Sequence, residues 1–293
     1  MAIEIKRLSD LMGGEIVSPI DLRQPLSDEQ AAEVNRALHT YQVLVIPGQK
    51  ITPAQYVGFA SRIGRPQIHM NSKFWHPDKS EILVLSNVIK DGKPIGLQDG
   101  GIHWHTDFSF MELPAKATML YSVQTPARGG NTLFSSMYTA YETLGESMKR
   151  RIDGMKVVHR YEIRQSRNDD PRAITAIRST PNYEEQGSAV HPLVYTHPAT
   201  GRRALYAPVS TASQILGLPA DESGELLDEL KEHVTRKEVI YSQYYRPDDI
   251  VIWDNPSLIH AATITPPEYP RTLHRITVMM DTKPWAGESS PDA

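Results

Sequence analysis

Two histidines and an aspartate are the clearest candidates for metal chemistry in this chain. His105 and Asp107 stand two residues apart, and His260 follows far downstream. Two neutral imidazoles and one carboxylate on one face of an Fe(II) ion leave the opposite face open for a co-substrate and oxygen. The residue types therefore predict an iron site that performs oxygen chemistry.

An H-x-D sequence taken alone is weak evidence, because the chain has 11 histidines and 35 acidic residues among 293, and such short motifs recur by chance. A second one, His76-Pro77-Asp78, is indeed present. Pro77 fixes one backbone angle and biases His76 towards an extended conformation. This second pair is predicted to be an exposed loop element.

The surrounding sequence sets His105 and Asp107 apart from that pair. In GGIHWHTDFSF, aromatic and β-favouring residues alternate with polar ones after two glycines. Residues i and i+2 of an extended segment point to the same side, so both side chains can meet one metal ion. His103 competes for this face and is predicted to support the site or to pack beside it. A hydrogen-bonded core histidine is the alternative for His105.

The third candidate ligand, His260, follows a predicted strand and turn. Ile250 to Trp253 is a short apolar run with β-branched residues, which predicts a buried strand, and Asp254-Asn255-Pro256 then turns the chain.

A further strand is predicted from Thr272 to Met280, with Arg271 at its start and Arg275 within it. Both arginines share a face with Leu273, and burying them requires anionic partners. A solvated edge strand with two surface cations is the alternative.

Three motifs in this order resemble the taurine/α-ketoglutarate dioxygenase (TauD/TfdA-like) family. They are Trp104-His105-Thr106-Asp107, then Gly129-Gly130-Asn131-Thr132, then Trp253-Asp254-Asn255 through His260, Arg271 and Arg275. Each motif alone is moderate evidence, but their order and spacing together are strong. The similarity covers nearly the whole chain.

The resemblance implies a dioxygenase that depends on Fe(II), 2-oxoglutarate and O2. His105, Asp107 and His260 would hold the iron. Arg271 would pair with the distal carboxylate of 2-oxoglutarate, which a planar guanidinium can grip bidentately, and Thr132 would donate a hydrogen bond to the same carboxylate. The products would be succinate, CO2 and a hydroxylated substrate. For Thr132, a turn hydroxyl bonded to its own backbone is the alternative.

A small anionic organic molecule is the predicted substrate. Arg275 matches a family position that grips a sulfonate or carboxylate, and His69 fits a pocket histidine of the taurine-using branch. Phe108 would pack against the hydrocarbon part of the substrate. A backbone-bonded loop residue and a core residue are the respective alternatives for His69 and Phe108. Gly101 stands where the taurine-using branch has an amide side chain, which argues against taurine and leaves a sulfonate, alkyl sulfate, aryloxyalkanoate or amino-acid-like carboxylate.

Short strands interrupted by few helices favour a β-sandwich or barrel over βαβ winding. The resemblance makes this a mainly β fold with flanking helices, a double-stranded β-helix of the jelly-roll, cupin-like type. Helices are predicted from a capping box at Ser27, from Thr52-Pro53 to Gly64, at Ser136 to Ile152 and at Glu222 to Thr235. Further strands are predicted at Val43 to Ile46, Glu81 to Val88, Ala117 to Val123, Lys156 to Tyr161, Leu193 to Thr196 and Ala204 to Ala207.

One catalytic domain is predicted over residues 1–293, because no linker, repeat or low-complexity tract divides the chain. Segments 90–101 and 162–187 are predicted to be mobile loops or lids, since long polar segments without periodicity inside a domain are usually lids or disordered. A closing lid would sequester a reactive intermediate.

Composition narrows the class of protein. The net charge of -4 and the absence of basic runs argue against nucleic acid or membrane partners. The absence of cysteine excludes disulfides and thiolate ligands, leaving histidine and oxygen donors for a metal. No apolar run is long enough for a membrane span, so a cytoplasmic protein is expected. The family resemblance also implies a homo-oligomer, a dimer or tetramer.

Two other functions stay open on the residues alone. A jelly-roll metal hydrolase or isomerase could use the same three ligands without 2-oxoglutarate. A non-enzymatic protein could bind small anions with Arg271 and Arg275.

Overall fold

The chain folds mainly into β-strands, with helices packed on the outside. The computed structural model describes residues 3–98, 100–162 and 187–285. The strands are β1 Ile5–Arg7, β2 Gly14–Ile16, β3 Val43–Ile46, β4 Arg65–Gln67, β5 Trp75–His76, β6 Lys79–Ser86, β7 Ile89–Lys90, β8 Lys93–Pro94, β9 Ala115–Gln124, β10 Thr132–Ser136, β11 Lys156–Arg160, β12 Ser188–Pro192, β13 Val194–Thr196, β14 Arg203–Leu205, β15 Ala212–Ile215, β16 Ile240–Gln243, β17 Ile250–Asp254, β18 Leu258–Ala262 and β19 Thr272–Met279. The helices are α1 Asp28–Tyr41, α2 Pro53–Ile63, α3 Met137–Glu142, α4 Glu146–Ile152 and α5 Ala220–Val234.

A large sheet forms one wall of the core. Its strand order is β1-β2-β3-β17-β9-β19-β6-β5, with β4 paired to β19. The long strand β9 lies in the middle between β17 and β19, and both pairings are antiparallel. The apolar, β-branched run that predicted β17 is buried along its whole length.

A smaller sheet, in the order β16-β10-β18, forms the opposite wall. Phe134 and Leu258 from this sheet pack against Leu120, Val251 and Trp253 from the large sheet. The Phe134 and Trp253 rings meet edge to face, with centroids 5.4 Å apart. Two largely antiparallel sheets facing each other across one core, with only β2 and β3 in parallel among the described strands, confirm the expected double-stranded β-helix, or jelly roll.

Helices α1 and α2 cover the outer face of the large sheet. Val34 and Leu38 of α1 and Phe59 and Ile63 of α2 pack against a core cluster that includes Met119 of β9. Both helices begin with the capping box that their sequences predict, at Ser27 with Gln30 and at Thr52 with Gln55.

Most predicted elements are found with boundaries within about two residues, and one prediction is wrong. The helix predicted over Ser136 to Ile152 is two helices, because the chain turns at Thr143 and Gly145 caps the start of α4. Several short strands were not predicted, and the one that matters for the site is β18, since Leu258–Ala262 was predicted only to follow a turn.

The two segments predicted as lids differ in what the structure describes. In the first, Leu97 is hydrogen-bonded on both sides to β6, through the Val84 carbonyl at 2.8 Å and the Ser86 amide at 3.1 Å. Of the second, only the ends at 162 and 187 are described, so this prediction lies outside the described residues. Within the described ranges, no helix is long and apolar enough to cross a membrane.

The Ser27 capping box makes a testable contribution to stability. We expect Ser27→Ala to lower the free energy of unfolding by about 1 kcal/mol, because the backbone N–H of Gln30 loses the Ser27 hydroxyl, which accepts its hydrogen bond at 3.2 Å. Thr40→Ala is the matched control on the same helix. Thr40 is exposed and its hydroxyl bonds back to the Arg36 carbonyl, so alanine there should be neutral or slightly stabilising. Urea unfolding of the three proteins measures the difference, and equal midpoints would contradict the cap.

Candidate active site

His105 and His260 are brought together by the backbone. Each residue's amide donates to the other's carbonyl, at 2.9 Å from His105 and 2.8 Å from His260. On its other side His260 pairs with Phe134 in the small sheet. This antiparallel bridge places the two imidazoles side by side, with ring centroids 4.2 Å apart.

Asp107 completes a group of three candidate metal ligands. Its Oδ1 lies 3.5 Å from His105 Nε2, and its Oδ2 lies 3.7 Å from His260 Nε2. One donor atom from each of the three residues lies within 4.8 Å of the others. Asp107 and His260 are buried and His105 is partly exposed. The structure therefore brings together the three side chains that the sequence predicts as ligands.

The hydrogen bond on the other ring nitrogen sets the tautomer of His105. Its Nδ1 lies 2.8 Å from the His103 carbonyl, which can only accept. Nδ1 must therefore carry the hydrogen, and Nε2 is left with a free lone pair facing Asp107 and His260, as in metal-ligating histidines. His103 supports the site through this backbone carbonyl. His260 Nδ1 is buried and has no hydrogen-bond partner among the described residues.

Charged neighbours keep Asp107 ionised in spite of its burial. Burial alone would raise the pKa of Asp107, but Arg275, whose Nη2 donates to Oδ1 at 2.6 Å, and the neighbouring histidines hold this pKa well below its usual range. Thr118 donates to Oδ2 at 2.6 Å. Burial also lowers the pKa of His260 well below its usual value. Asp107 is thus an anion and His260 a neutral imidazole, the forms in which they bind metals.

A second group of two histidines and a carboxylate also meets the spacing of a metal site. His39 Nδ1 and His197 Nε2 lie 3.3 and 3.6 Å from the two oxygens of Asp254. Here, however, the Ala199 amide donates to His197 Nδ1 at 3.2 Å. A neutral His197 must then carry its hydrogen on Nε2, which faces Asp254 as a donor and cannot ligate. In this group both Asp254 oxygens and His39 Nδ1 are buried without a hydrogen-bond partner among the described residues.

The second H-x-D sequence was predicted as an exposed loop element, and this is correct for Pro77 and Asp78, which form an exposed turn, but wrong for His76, which is partly buried at the end of β5. His76 Nδ1 accepts a hydrogen bond from the Asp78 amide at 3.1 Å, and Asp78 is exposed to solvent. This pair is not among the candidate metal groups of the described residues.

Arg271 presents an uncompensated positive charge close to the three ligands. Its Nε is buried without a hydrogen-bond partner in the described part of the chain, and burial lowers its pKa from the usual value. Its guanidinium lies 5.7 Å from the centre of the Tyr245 ring, and the Tyr245 hydroxyl is 2.5 Å from the Thr132 hydroxyl. A partly buried cation beside two hydroxyls has the chemistry to bind a carboxylate.

Gly130 makes room for this arginine. The residue has φ +70, and a Cβ added there would lie 2.7 Å from Arg271 Cδ and 2.9 Å from Arg271 Nε. A glycine is required both by the backbone angle and by the close approach.

His69 and Phe108 line the cavity that also contains the three candidate ligands and Arg271. Phe108 has φ 55, a strained value for a bulky side chain, directly after Asp107. Its ring meets that of His69 edge to face at 6.3 Å. Burial lowers the pKa of His69 to about 3, so this ring is neutral at physiological pH.

All eight side chains predicted from the sequence line this one cavity. They are His69, His105, Asp107, Phe108, Thr132, His260, Arg271 and Arg275.

Comparison with known proteins agrees with this geometry. The sequence profile described as "Taurine catabolism dioxygenase TauD, TfdA family" matches residues 4–277. The chain belongs to the TauD/TfdA dioxygenase family. It is 32% identical to pentalenolactone F synthase of Streptomyces arenae, over 94% of this chain and 96% of that protein. It is 31% identical to the alpha-ketoglutarate-dependent 2,4-dichlorophenoxyacetate dioxygenase of Cupriavidus pinatubonensis, over 90% of this chain and 94% of that protein.

Solved structures of TauD/TfdA relatives have the same fold. AAD-2 in complex with Mn(II) and N-oxalylglycine has a TM-score of 0.77 and 30% identity, covering 97% of this chain and 100% of that one. A taurine dioxygenase from Burkholderia xenovorans has a TM-score of 0.75 and 29% identity, covering 96% of this chain and 90% of that one.

Family membership decides among the three functions that the residues alone left open. The protein is a 2-oxoglutarate-dependent non-haem iron dioxygenase and uses Fe(II), 2-oxoglutarate and O2. The metal hydrolase or isomerase and the non-enzymatic anion-binding protein are thereby set aside. The residues present fit these groups, because a carboxylate with two imidazoles provides the donors for iron and Arg271, whose Nε has no hydrogen-bond partner among the described residues, provides the counter-charge for a 2-oxo acid.

Sequence reasoning missed several residues of the site. Tyr245 lies in a polar segment without a motif, and Thr118 is one of many residues of a buried strand. Asn255 was noted as a turn residue and as part of the Trp253-Asp254-Asn255 motif, but no role was predicted for its side chain. Its side chain in fact reaches the Asp107 amide at 3.4 Å and the Thr118 hydroxyl at 3.0 Å. Only the register of β9 against β17 shows that Thr118 and Asn255 meet.

Proposed function

We propose that this enzyme oxidises a C–H bond of a small organic anion with an apolar body, at an iron held by His105, Asp107 and His260. The reaction consumes 2-oxoglutarate and O2 and releases succinate and CO2. The observation that carries the proposal is the convergence of three metal donors and two partly buried arginines on one cavity. When bound, Fe(II) couples the decarboxylation of 2-oxoglutarate to oxidation of the substrate, while the protein orients the target carbon.

Arg271, Thr132 and Tyr245 are proposed to bind the distal carboxylate of 2-oxoglutarate. The guanidinium has no acidic partner among the described residues, so its charge is available to a ligand. Burial makes the charge-assisted bond strong, because water competes poorly there. The Thr132 and Tyr245 hydroxyls share one hydrogen bond, so one hydroxyl hydrogen stays free for the carboxylate.

Arg275 is proposed to bind the acidic group of the substrate. One of its five N–H groups donates to Asp107, and the others are available to an anion in the cavity. The cavity also contains Met70, Leu85, Leu97, Phe110 and Tyr161. These apolar and aromatic side chains suit the body of an aryloxy or cyclic aliphatic acid.

Charge balance in the cavity supports a substrate with a single negative charge. With neutral histidines, two guanidinium groups and the Asp107 carboxylate leave one net positive charge among the described lining residues. A ferrous ion raises this to three, and 2-oxoglutarate neutralises two. One singly charged acid restores neutrality, which a buried site favours because unpaired charges there are costly.

The surroundings of Gly101 support the prediction that taurine is not the substrate. Its φ is +76, and an added Cβ would lie 3.1 Å from His105 Cε1, so an amide side chain at this position would press on a metal ligand. Asp107, which already pairs with Arg275, is the sole carboxylate among the described residues that line the cavity, so no other described acid could hold an ammonium group. Relatives of this chain include dioxygenases named for 2,4-dichlorophenoxyacetate, (S)-phenoxypropionate and sulfate esters, alongside the taurine dioxygenase of solved structure.

A direct test uses purified protein with Fe(II), 2-oxoglutarate and a panel of aryloxyacetates, cyclic aliphatic acids, alkyl sulfates, sulfonates and amino acids. Succinate release should depend on iron and rise most with an apolar monoacid. For Asp107→Ala we expect release to fall to the level without iron, because the metal loses its anionic ligand. Asp78→Ala is the matched control, since it removes the carboxylate of the exposed H-x-D sequence and should leave the rate unchanged. A wild-type rate in Asp107→Ala would contradict the proposed metal site.

The role of Arg271 can be tested through Gly130. We expect Gly130→Ala to raise the KM for 2-oxoglutarate about tenfold or more, the cost of about one charge-assisted hydrogen bond, because the new Cβ displaces Arg271. Gly154→Ala is the control. Its φ of +72 gives the same backbone strain, but an added Cβ there meets no atom within 4 Å. Both variants should lose similar stability, and only Gly130→Ala should lose 2-oxoglutarate affinity. Equal KM values would contradict the proposed receptor.

The role of Arg275 can be tested with the best acid of the panel and its primary amide. We expect Arg275→Ala to lower kcat/KM for the acid by about 10- to 150-fold, the equivalent of about 1.5–3 kcal/mol for a hydrogen bond to a charged group. Slow release of succinate without substrate oxidation should continue. The wild type should prefer the acid to the amide, and the variant should not. Loss of 2-oxoglutarate affinity in Arg275→Ala would instead mean that the two arginines have exchanged roles.

A further inference from the structure

A directed chain of hydrogen bonds runs from the large sheet to Asp107. It involves Trp253, Asn255 and Thr118, all of which are buried. Trp253 Nε1 lies 3.1 Å from Asn255 Oδ1, Asn255 Nδ2 lies 3.0 Å from Thr118 Oγ1, and Thr118 Oγ1 lies 2.6 Å from Asp107 Oδ2. We refer to these three residues as the relay.

The donor in each bond of the relay is fixed by chemistry. An indole N–H can only donate, so the Asn255 oxygen must face Trp253 and its NH2 group must face Thr118. That NH2 group can only donate, so Thr118 must accept from it. The Thr118 hydrogen is then free for Asp107, an acceptor-only carboxylate, and the bond is short and charge-assisted.

The relay fixes the orientation of the Asp107 carboxylate. Thr118 holds Oδ2, and Arg275 holds Oδ1 at 2.6 Å, so both oxygens are restrained and the group cannot turn about its last single bond. Each carboxylate oxygen has further lone pairs, which remain available to a metal. Outer-shell hydrogen bonds of this kind orient ligands, and their loss typically costs about 10- to 100-fold in metal affinity or activity.

The far side of the turn at 254–257 holds the relay in place. The Asp254 amide donates to the Gln42 carbonyl at 2.9 Å, and Gln42 Nε2 donates to the Ser257 carbonyl at 2.7 Å. Towards the site, the Asn255 carbonyl accepts from Thr106 Oγ1 at 2.8 Å. Asn255 is therefore anchored through its backbone as well as its side chain.

We propose that Thr118 and Asn255 are positioning residues that set the metal affinity of the site by locking the Asp107 carboxylate. This rests on the proposed function, in which Asp107 is an iron ligand. Neither residue would touch the iron or the substrate, since Asn255 acts on Asp107 through Thr118.

The test measures metal binding rather than turnover. The full-length apo protein is titrated with Co(II) under anaerobic conditions, and the dissociation constant is read from the absorption of the bound ion. We expect Thr118→Val, which removes the hydroxyl at nearly constant shape, to weaken Co(II) binding by about 10- to 100-fold. Thr118→Ser keeps the donor and should restore the wild-type constant.

Asn255→Asp tests the direction of the relay. A carboxylate at this position cannot donate, so it draws the Thr118 hydrogen away from Asp107 and should also weaken Co(II) binding. If Asn255 acts through Thr118, the double variant Thr118→Val with Asn255→Asp should bind Co(II) no more weakly than Thr118→Val alone. Additive losses would overturn the relay.

Thr277→Val is the matched control. Thr277 pairs with Thr118 across the sheet and is equally buried, and its hydroxyl lies 3.1 Å from that of Thr118. Thr277 makes no hydrogen bond with Asp107, so the Co(II) dissociation constant of Thr277→Val should stay within about twofold of the wild-type value. Thermal unfolding of each apo variant accompanies the titrations. If Thr118→Val and Thr277→Val lose the same Co(II) affinity for the same loss of melting temperature, the positioning role of Thr118 is overturned.

The two proposals fail in different ways. If Asp107→Ala binds Co(II) as tightly as the wild type, the metal site itself is misplaced. If Asp107→Ala loses binding while Thr118→Val keeps it, the metal site stands and the relay is overturned.

Discussion

The reciprocal backbone hydrogen bonds between His105 and His260 are the contact on which the site depends. They join a loop to a strand that lies far away in the chain, and they fix which residues stand side by side. Because side chains alternate along extended backbone, a slip of one residue would turn His260 away from Asp107. The position of β18 is set in turn by its pairing with β10, so the small sheet determines where the third ligand, His260, lies.

Two arginines four residues apart have different partners, and this difference assigns their roles. Arg275 lies within β19 and pairs with Asp107, so it keeps that carboxylate ionised in a buried place. Arg271 lies at the beginning of the strand, beside Tyr245, with no acid near it among the described residues. An unpaired buried cation is costly, and such a cost is tolerated where a ligand relieves it. The sequence shows two similar cations, whereas the structure shows one that is compensated and one that is ready for an anion.

What the sequence could predict follows from how local each feature is. The pair of His105 and Asp107 needs only an extended segment, and the helix starts at Ser27 and Thr52 need only a capping box, so all were predictable. The strand that carries His260 was missed, because Leu258–Ala262 follows a one-turn helix at 255–257 and has little alternation of its own. Thr118 and Tyr245 depend on strand register and on a loop without a motif. Such residues become recognisable only when three-dimensional neighbours are known.

The group formed by His39, His197 and Asp254 shows why a set of residue types does not define a metal site. Both three-residue groups contain the same donors, and in both the nitrogen-to-oxygen distances lie between 3.3 and 3.7 Å. They differ at the remote nitrogen of one imidazole. A carbonyl accepts from His105 Nδ1 and frees Nε2 for a metal, whereas an amide donates to His197 Nδ1 and commits Nε2 to a hydrogen. One backbone atom therefore decides between a ligand and a hydrogen-bond donor. Asp254 and Asn255 are adjacent, and the hydrogen bonds that join Gln42 to the backbone of Asp254 and Ser257 anchor the residue that reaches Asp107 through Thr118.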